Sequence, residues 1–189
     1  MTSSMLGASR WSKAANTLTI SRIICAPILV ALILHQNPWW LTFFLGWILG
    51  ITDYVDGELA RKAEPTRAGA FLDPLADKVL VLSAGMALVV IGRFHWLPIA
   101  LITLRELGIQ VYRSYWARRS LAIPARKSAK YKTFVQGLAL SFALFPPFES
   151  SPYTVITDVT LWLAVGFTLF SGAQYVMDGR SALRTTGVR

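Results

Sequence analysis

The chain has 189 residues, 54% of them hydrophobic and only 15% charged, with a formal net charge of +9. A soluble domain carries about 25% charged residues, so this composition excludes an ordinary water-soluble globule and points to a single integral membrane domain. The lone cysteine, Cys25, excludes an intramolecular disulfide, and the excess positive charge fits loops that face anionic lipid, with no ground for a nucleic-acid partner.

Taken in chain order, residues 1–17 are polar and carry no convincing cleavage site, so they read as a short N-terminal juxtamembrane segment and not as a signal peptide. Six apolar segments follow, roughly Leu18–Leu34, Trp40–Arg61, Phe71–Gly92, Leu97–Trp116, Thr133–Phe148 and Tyr153–Met177. A bilayer core takes about 20 residues of helix. Pro27 lies within the first segment, and Pro146 and Pro147 end the fifth; membrane helices tolerate prolines where neighbours satisfy the freed backbone. The segments are too long for barrel strands. The expected architecture is an all-α integral membrane protein of six transmembrane helices in one domain. Residues 18–177 form the membrane part, and residues 178–189 form a tail. The basic stretch "ARRSLAIPARKSAKYK" reads as a linker between spans four and five, interrupted by Ser120, Pro124 and Ser128.

Orientation follows from the basic residues. Fourteen of the nineteen lie before span one, between spans two and three, between spans four and five, or after span six. The opposite loops hold only Arg93, near Trp39, Trp40, His95 and Trp96, which suit the other interface. The positive-inside rule then puts both termini and the acidic loop in the cytoplasm of a multi-pass plasma-membrane protein.

The remaining charges carry the chemistry. Arg22, Lys78, Arg105 and Arg113 fall in or at the edges of apolar segments, together with Asp53, Asp56, Asp73, Asp77, Glu106 and Asp158. A charge at membrane depth is costly, so it is paired or functional. All but Asp158 fall toward the cytoplasmic ends of their spans, which predicts one polar cavity open to the cytoplasm; Asp158 reads as a solvated residue at the far end of span six. At about 100° per residue, Asp56 lies about 60° from Asp53, and Gly57 and Ala60 share that face. Gly69, Asp73 and Asp77 repeat at intervals of four along span three. Two helices joined by a short loop pack antiparallel, so four carboxylates are expected to converge. They cannot all stay ionised without a counter-charge. Two Mg²⁺ or Mn²⁺ ions would supply it and would also clamp a diphosphate. Solvation at the interface accounts for one such aspartate, but not for four in phase with small residues. The residues by themselves indicate metal-dependent chemistry on a phosphate-bearing substrate at the membrane surface.

Asp53, Asp56, Gly57, Ala60, Arg61, Gly69, Asp73 and Asp77 together spell D-x-x-D-G-x-x-A-R, then G-x-x-x-D-x-x-x-D. The sequence thus resembles the CDP-alcohol phosphatidyltransferase family over nearly its whole length. One departure is a loop between Arg61 and Gly69 that is a residue shorter than is usual there. The resemblance implies that CDP-diacylglycerol binds with its diphosphate on two metal ions held by Asp53, Asp56, Asp73 and Asp77. It implies that Asp77 is also the general base that deprotonates an alcohol, and that CMP is released. It places Thr52, Asp56, Gly57, Ala60, Arg61 and Gly69 around the nucleotide, and it suggests a homodimer. A hydrogen bond from Thr52 to its own helix backbone is an equal alternative.

Family acceptors include glycerol 3-phosphate, inositol or inositol phosphate, serine, choline-type head groups and phosphatidylglycerol. "NTLTISRI", "FLDPLADK", "LRELGIQVYR" and "KSAKYKTFVQ" resemble stretches of the members that use glycerol 3-phosphate and make phosphatidylglycerophosphate. In the last, Ala129 stands where glycine is usual. Arg105, Arg113, Lys130 and Lys132 are the expected acceptor-phosphate residues, with Arg105 and Arg113 on roughly one face and Glu106 pairing with one of them. Arg118, Arg119 and Arg126 are read as topology signals. Arg22 is open between reaching the cavity and snorkelling to the interface. Alternatives are inositol phosphate or phosphatidylglycerol as acceptor and, from another class, a cation transporter or an inactive structural subunit.

Overall fold

The structure is a computed structural model, and it describes residues 20–36, 39–62, 67–117, 128–146 and 151–186, with side chains over residues 20–36, 39–52, 78–116, 131–146 and 152–179. The N-terminal segment and the basic linker fall outside those residues. Six helices and no strands occur among the described residues. They are α1 (Ile20–His35), α2 (Trp39–Lys62), α3 (Arg67–Val90), α4 (Trp96–Ala117), α5 (Ser128–Leu144) and α6 (Ser151–Thr186). Each expected apolar segment corresponds to one helix.

The helix ends have local causes. α3 stops at a Schellman motif: Gly92 sits at φ +77°, its N–H donates to the Val89 carbonyl at 3.0 Å, and the Arg93 N–H donates to the Leu88 carbonyl at 2.9 Å. Pro98 and Pro152 fall in the first turns of α4 and α6, where a missing N–H costs nothing. Ser128 opens α5 instead of interrupting it, so this helix begins earlier than its apolar segment and ends before the Pro146–Pro147 pair. α6 runs past Met177 to Thr186, because Asp178, Arg180 and Arg184 end the apolar stretch without breaking the helix.

Among the described residues the bundle buries a hydrophobic core together with several polar side chains, and much of its surface is apolar. Buried polar side chains include Arg22, Thr42, Glu106, Lys132, Gln136, Thr168 and Ser171, whereas Ile24, Trp40, Phe44, Trp47, Leu104, Phe134, Trp162 and Phe170 are exposed. Water would penalise that arrangement, and lipid rewards it. Pro152–Gly179 is long and apolar enough to cross a membrane by itself; Ile20–His35, Trp39–Thr52 and Lys78–Val90 are shorter apolar stretches. Charges shorten these runs, as Arg105, Glu106 and Arg113 do in α4.

Among the described residues α6 packs against α5 and α4, and α3 touches both α4 and α5. Small residues permit the close approach: Ala84, Ala87, Ala139, Ala143 and Ala164 are all buried in the core. α2 reaches α5 at Gly46, where an added Cβ would lie 2.8 Å from Leu144 Cδ1. At the other end of the bundle from the charged cluster described below, Arg93 Nη1 donates to the Ala143 carbonyl at 2.7 Å, and its guanidinium stacks 3.5 Å over the Trp39 ring. It thereby ties the α3–α4 turn to α5 and α2. Asp158 is exposed on α6, as expected for a solvated residue.

Candidate functional site

The aspartate motif lies entirely on helix apart from its connecting residues, 63–66, which fall outside the described residues. Asp53, Asp56, Gly57, Ala60 and Arg61 occupy the last turns of α2, and Gly69, Asp73 and Asp77 the first half of α3. Their helical phase is therefore the one read from their spacing, while their side chains lie outside the described set. Thr52 is within it: its hydroxyl donates to the Leu49 carbonyl at 2.8 Å, the backbone bond that was the alternative to a phosphate contact.

One residue beyond Asp77, the described side chains begin with a charged cluster. Glu106 of α4 is its hub. Lys132 Nζ of α5 donates to Glu106 Oε1 at 2.6 Å, and Arg105 Nη1 donates to the same oxygen at 2.9 Å. Lys78 Nζ of α3 donates to Glu106 Oε2 at 3.1 Å and to the Glu106 main-chain carbonyl at 3.2 Å. Side-chain exposure is 18% for Lys78, 12% for Arg105, 10% for Lys132 and 8% for Glu106, so the group is largely withdrawn from solvent. A second layer of contacts comes from α6. Arg105 Nη2 donates to Ser171 Oγ at 2.8 Å, Ser171 Oγ donates to the Thr168 carbonyl at 3.1 Å, and Gln136 Nε2 donates to Thr168 Oγ1 at 3.0 Å. Gly172 leaves the room Arg105 needs, since a Cβ there would lie 3.0 Å from Arg105 Nε.

The electrostatics follow from counting. Among the described residues three cations face one carboxylate, a surplus of two positive charges in a poorly solvated place. Like charges held together away from water repel strongly unless an anion joins them. The arrangement suits a doubly charged oxyanion, which accepts hydrogen bonds from Lys and Arg at once.

Of the expected acceptor residues, Arg105 and Lys132 meet in this cluster, and Arg105 is the partner Glu106 takes. Arg113 is exposed two turns further along α4, near Tyr175 of α6. The side chain of Lys130 lies outside the described residues. Arg22 is 1% exposed, which removes the snorkelling alternative. Sequence reading placed Lys78 among the charges of the expected polar cavity without a specific role, and gave no role to Gln136 or Ser171. For Lys78 a signal existed, its position directly after Asp77; for Ser171, one hydroxyl among several in an apolar helix, none did.

A metal-binding group of three or more His, Cys, Asp or Glu is absent among the described residues. The donor chemistry of Asp53, Asp56, Asp73 and Asp77 suits hard divalent ions, since all four offer carboxylate oxygen.

Comparison with known proteins gives a consistent picture. Residues 12–182 match the CDP-alcohol phosphatidyltransferase family. The chain is 36% identical over 192 aligned positions to a probable phosphatidylglycerophosphate synthase of Mycobacterium tuberculosis, covering 98% of this chain and 89% of that protein. It is 35% identical to the CDP-diacylglycerol–glycerol-3-phosphate 3-phosphatidyltransferase of Bacillus subtilis, covering 90% of this chain and 97% of that one. It is 34% identical to the protein of the same name from Haemophilus influenzae, covering 88% and 92%.

Proposed function

Because this chain belongs to the CDP-alcohol phosphatidyltransferase family and is a membrane-associated enzyme of phospholipid synthesis, we propose that it transfers the phosphatidyl group of CDP-diacylglycerol to sn-glycerol 3-phosphate. The products are phosphatidylglycerophosphate and CMP. The observation that carries the acceptor is the surplus of two positive charges around Glu106 among the described residues. A phosphomonoester bears about −1.5 to −2 charge at pH 7, whereas the phosphodiester of phosphatidylglycerol bears one. Inositol phosphate would match the same charge; the names of the relatives favour glycerol 3-phosphate over it. Family membership sets aside a cation transporter.

In this reading Asp53, Asp56, Asp73 and Asp77 would hold two Mg²⁺ or Mn²⁺ ions, which neutralise the diphosphate when bound. Arg61, with Asp56, Gly57, Ala60 and Gly69, lines the nucleotide's place. Arg105 and Lys132 bind the acceptor phosphate; Lys130 and Arg113 would extend that basic surface toward the cytoplasm. Asp77 accepts the proton of the acceptor hydroxyl. The oxygen then forms a bond to the lipid-side phosphorus as the bond from that phosphorus to CMP breaks. All six helices cross or enter the plasma membrane, with both termini and the cavity cytoplasmic and the enzyme a homodimer.

The test is CMP release by purified protein in detergent with CDP-diacylglycerol and Mg²⁺ or Mn²⁺. Glycerol 3-phosphate, inositol phosphate and phosphatidylglycerol are offered separately. Release with glycerol 3-phosphate alone is expected. Release only with another acceptor overturns the substrate and keeps the family chemistry.

A further inference from the structure

We propose that Glu106 is a positioning residue for the acceptor: it gathers Lys78, Arg105 and Lys132 from three helices into one phosphomonoester-binding cradle, with Lys78 as the member that joins the cradle to the candidate base. This rests on the acceptor reading above. Four geometric facts support it.

First, Glu106 uses both carboxylate oxygens, one on Lys132 and Arg105 and the other on Lys78. Without that carboxylate, three ammonium and guanidinium groups would repel one another at hydrogen-bonding range and turn away toward solvent. Second, the hub is itself held. Lys78 also bonds the Glu106 main-chain carbonyl, which ties α3 to α4 at this level. Third, Arg105 is anchored from its other side by Ser171, which fixes the plane of its guanidinium. Fourth, Lys78 directly follows Asp77, so their Cα atoms lie about 3.8 Å apart. A phosphate held at Lys78 thus keeps the rest of a small acceptor close to the backbone that carries Asp77. Among the described residues one carboxylate faces three cations, a charge balance that suits a bound dianion. Glu106 touches neither reacting atoms nor, in this reading, the phosphate itself. Its influence passes through the cations, so it governs acceptor affinity more than turnover.

The experiment is steady-state CMP release by the purified full-length enzyme, with glycerol 3-phosphate titrated at saturating CDP-diacylglycerol and the reverse. Glu106→Gln is expected to raise the KM for glycerol 3-phosphate by about tenfold or more, the scale seen when a group that orients a ligating side chain is lost. The KM for CDP-diacylglycerol and kcat should each stay within about twofold, since Glu106 touches neither the lipid substrate nor the reacting atoms and saturating acceptor still fills the cradle. Glu106→Asp, which keeps the charge, should recover part of the acceptor affinity. Ser171→Ala should raise the acceptor KM in the same selective way by a smaller factor, and it reads out even if Glu106→Gln does not fold. Wild-type enzyme that uses glycerol 3-phosphate, with acceptor KM unchanged in Glu106→Gln, or in both Glu106→Asp and Ser171→Ala, overturns this role alone. A loss confined to kcat, or equal changes in both KM values, also overturns it. Wild-type enzyme that uses only phosphatidylglycerol overturns the acceptor reading and this role with it.

Discussion

At the scale of single residues, the proposed chemistry gives the carboxylates different tasks. Asp77 stands apart from the other three aspartates in that it is assigned a proton to remove as well as a metal to hold. Asp77→Asn is therefore expected to lower kcat by about 10²–10⁴-fold, the usual contribution of a positioned base, with thermal stability in detergent unchanged. Retained turnover in that variant would assign the proton to another group. Metal dependence has its own check. Treatment with EDTA should abolish CMP release, and added Mg²⁺ or Mn²⁺ should restore it; activity that persists after exhaustive chelation contradicts the two-ion reading. Glu106 illustrates a third task, the gathering of like charges. Its sequence neighbours did suggest a pairing with an arginine, and Arg105 is that partner. That it also collects Lys78 and Lys132 was not legible, because those residues lie 28 and 26 positions away along the chain.

At the scale of helices, two contacts set how the elements sit against one another. Arg93 closes the end of the bundle away from the cluster. It binds a carbonyl in the last turn of α5, where helix ends leave such groups unsatisfied, and it stacks on Trp39. Arg93→Ala should cost about 1–3 kcal/mol of stability, combining a charged hydrogen bond with a cation–π contact. Lys78 lies about 18 Å along α3 from its C-terminal end at Val90, given 1.5 Å per residue, so KM values should not move. Thermal unfolding and kinetics on the same preparation check both halves. Gly46 is the second contact. Gly46→Val would push into Leu144, and overpacking of this kind costs about 1–3 kcal/mol. A thermal midpoint equal to that of the wild type would mean that α2 and α5 approach less closely than the 2.8 Å clearance implies. Helix positions were readable from apolar runs, but the ends were not. Ser128 and the residues beyond Met177 are polar, and hydropathy stops where the backbone hydrogen-bond ladder does not.

At the scale of the whole molecule, the leading feature is a set of buried charges inside a bundle whose surface is largely apolar. Buried Arg22, Glu106, Lys132 and Gln136 accompany an exposed surface rich in large apolar side chains, the pattern the proposed lipid-embedded reading requires. The proposed orientation has a direct test. In a Cys25→Ser background, His95→Cys should react with a membrane-impermeant thiol reagent from outside intact cells, and Ser181→Cys only in inverted vesicles. The opposite pattern would place the catalytic face away from the cytoplasm.

The sequence by itself determined the helical class, the approximate positions of six helices, and the family, because apolar runs and an eight-position motif are local properties of the chain. It also placed the carboxylates in register along their helices, since spacing sets helical phase. Only the tertiary structure decided which distant charges meet. Three helices bring Lys78, Arg105 and Lys132 onto Glu106, and a fourth brings Ser171 to Arg105. Buried Arg22 was likewise ambiguous until its helix was packed. The physical reason is the same in both cases: a side chain's spacing tells which face of its own helix it occupies, while its partners depend on how that face is rotated against the others.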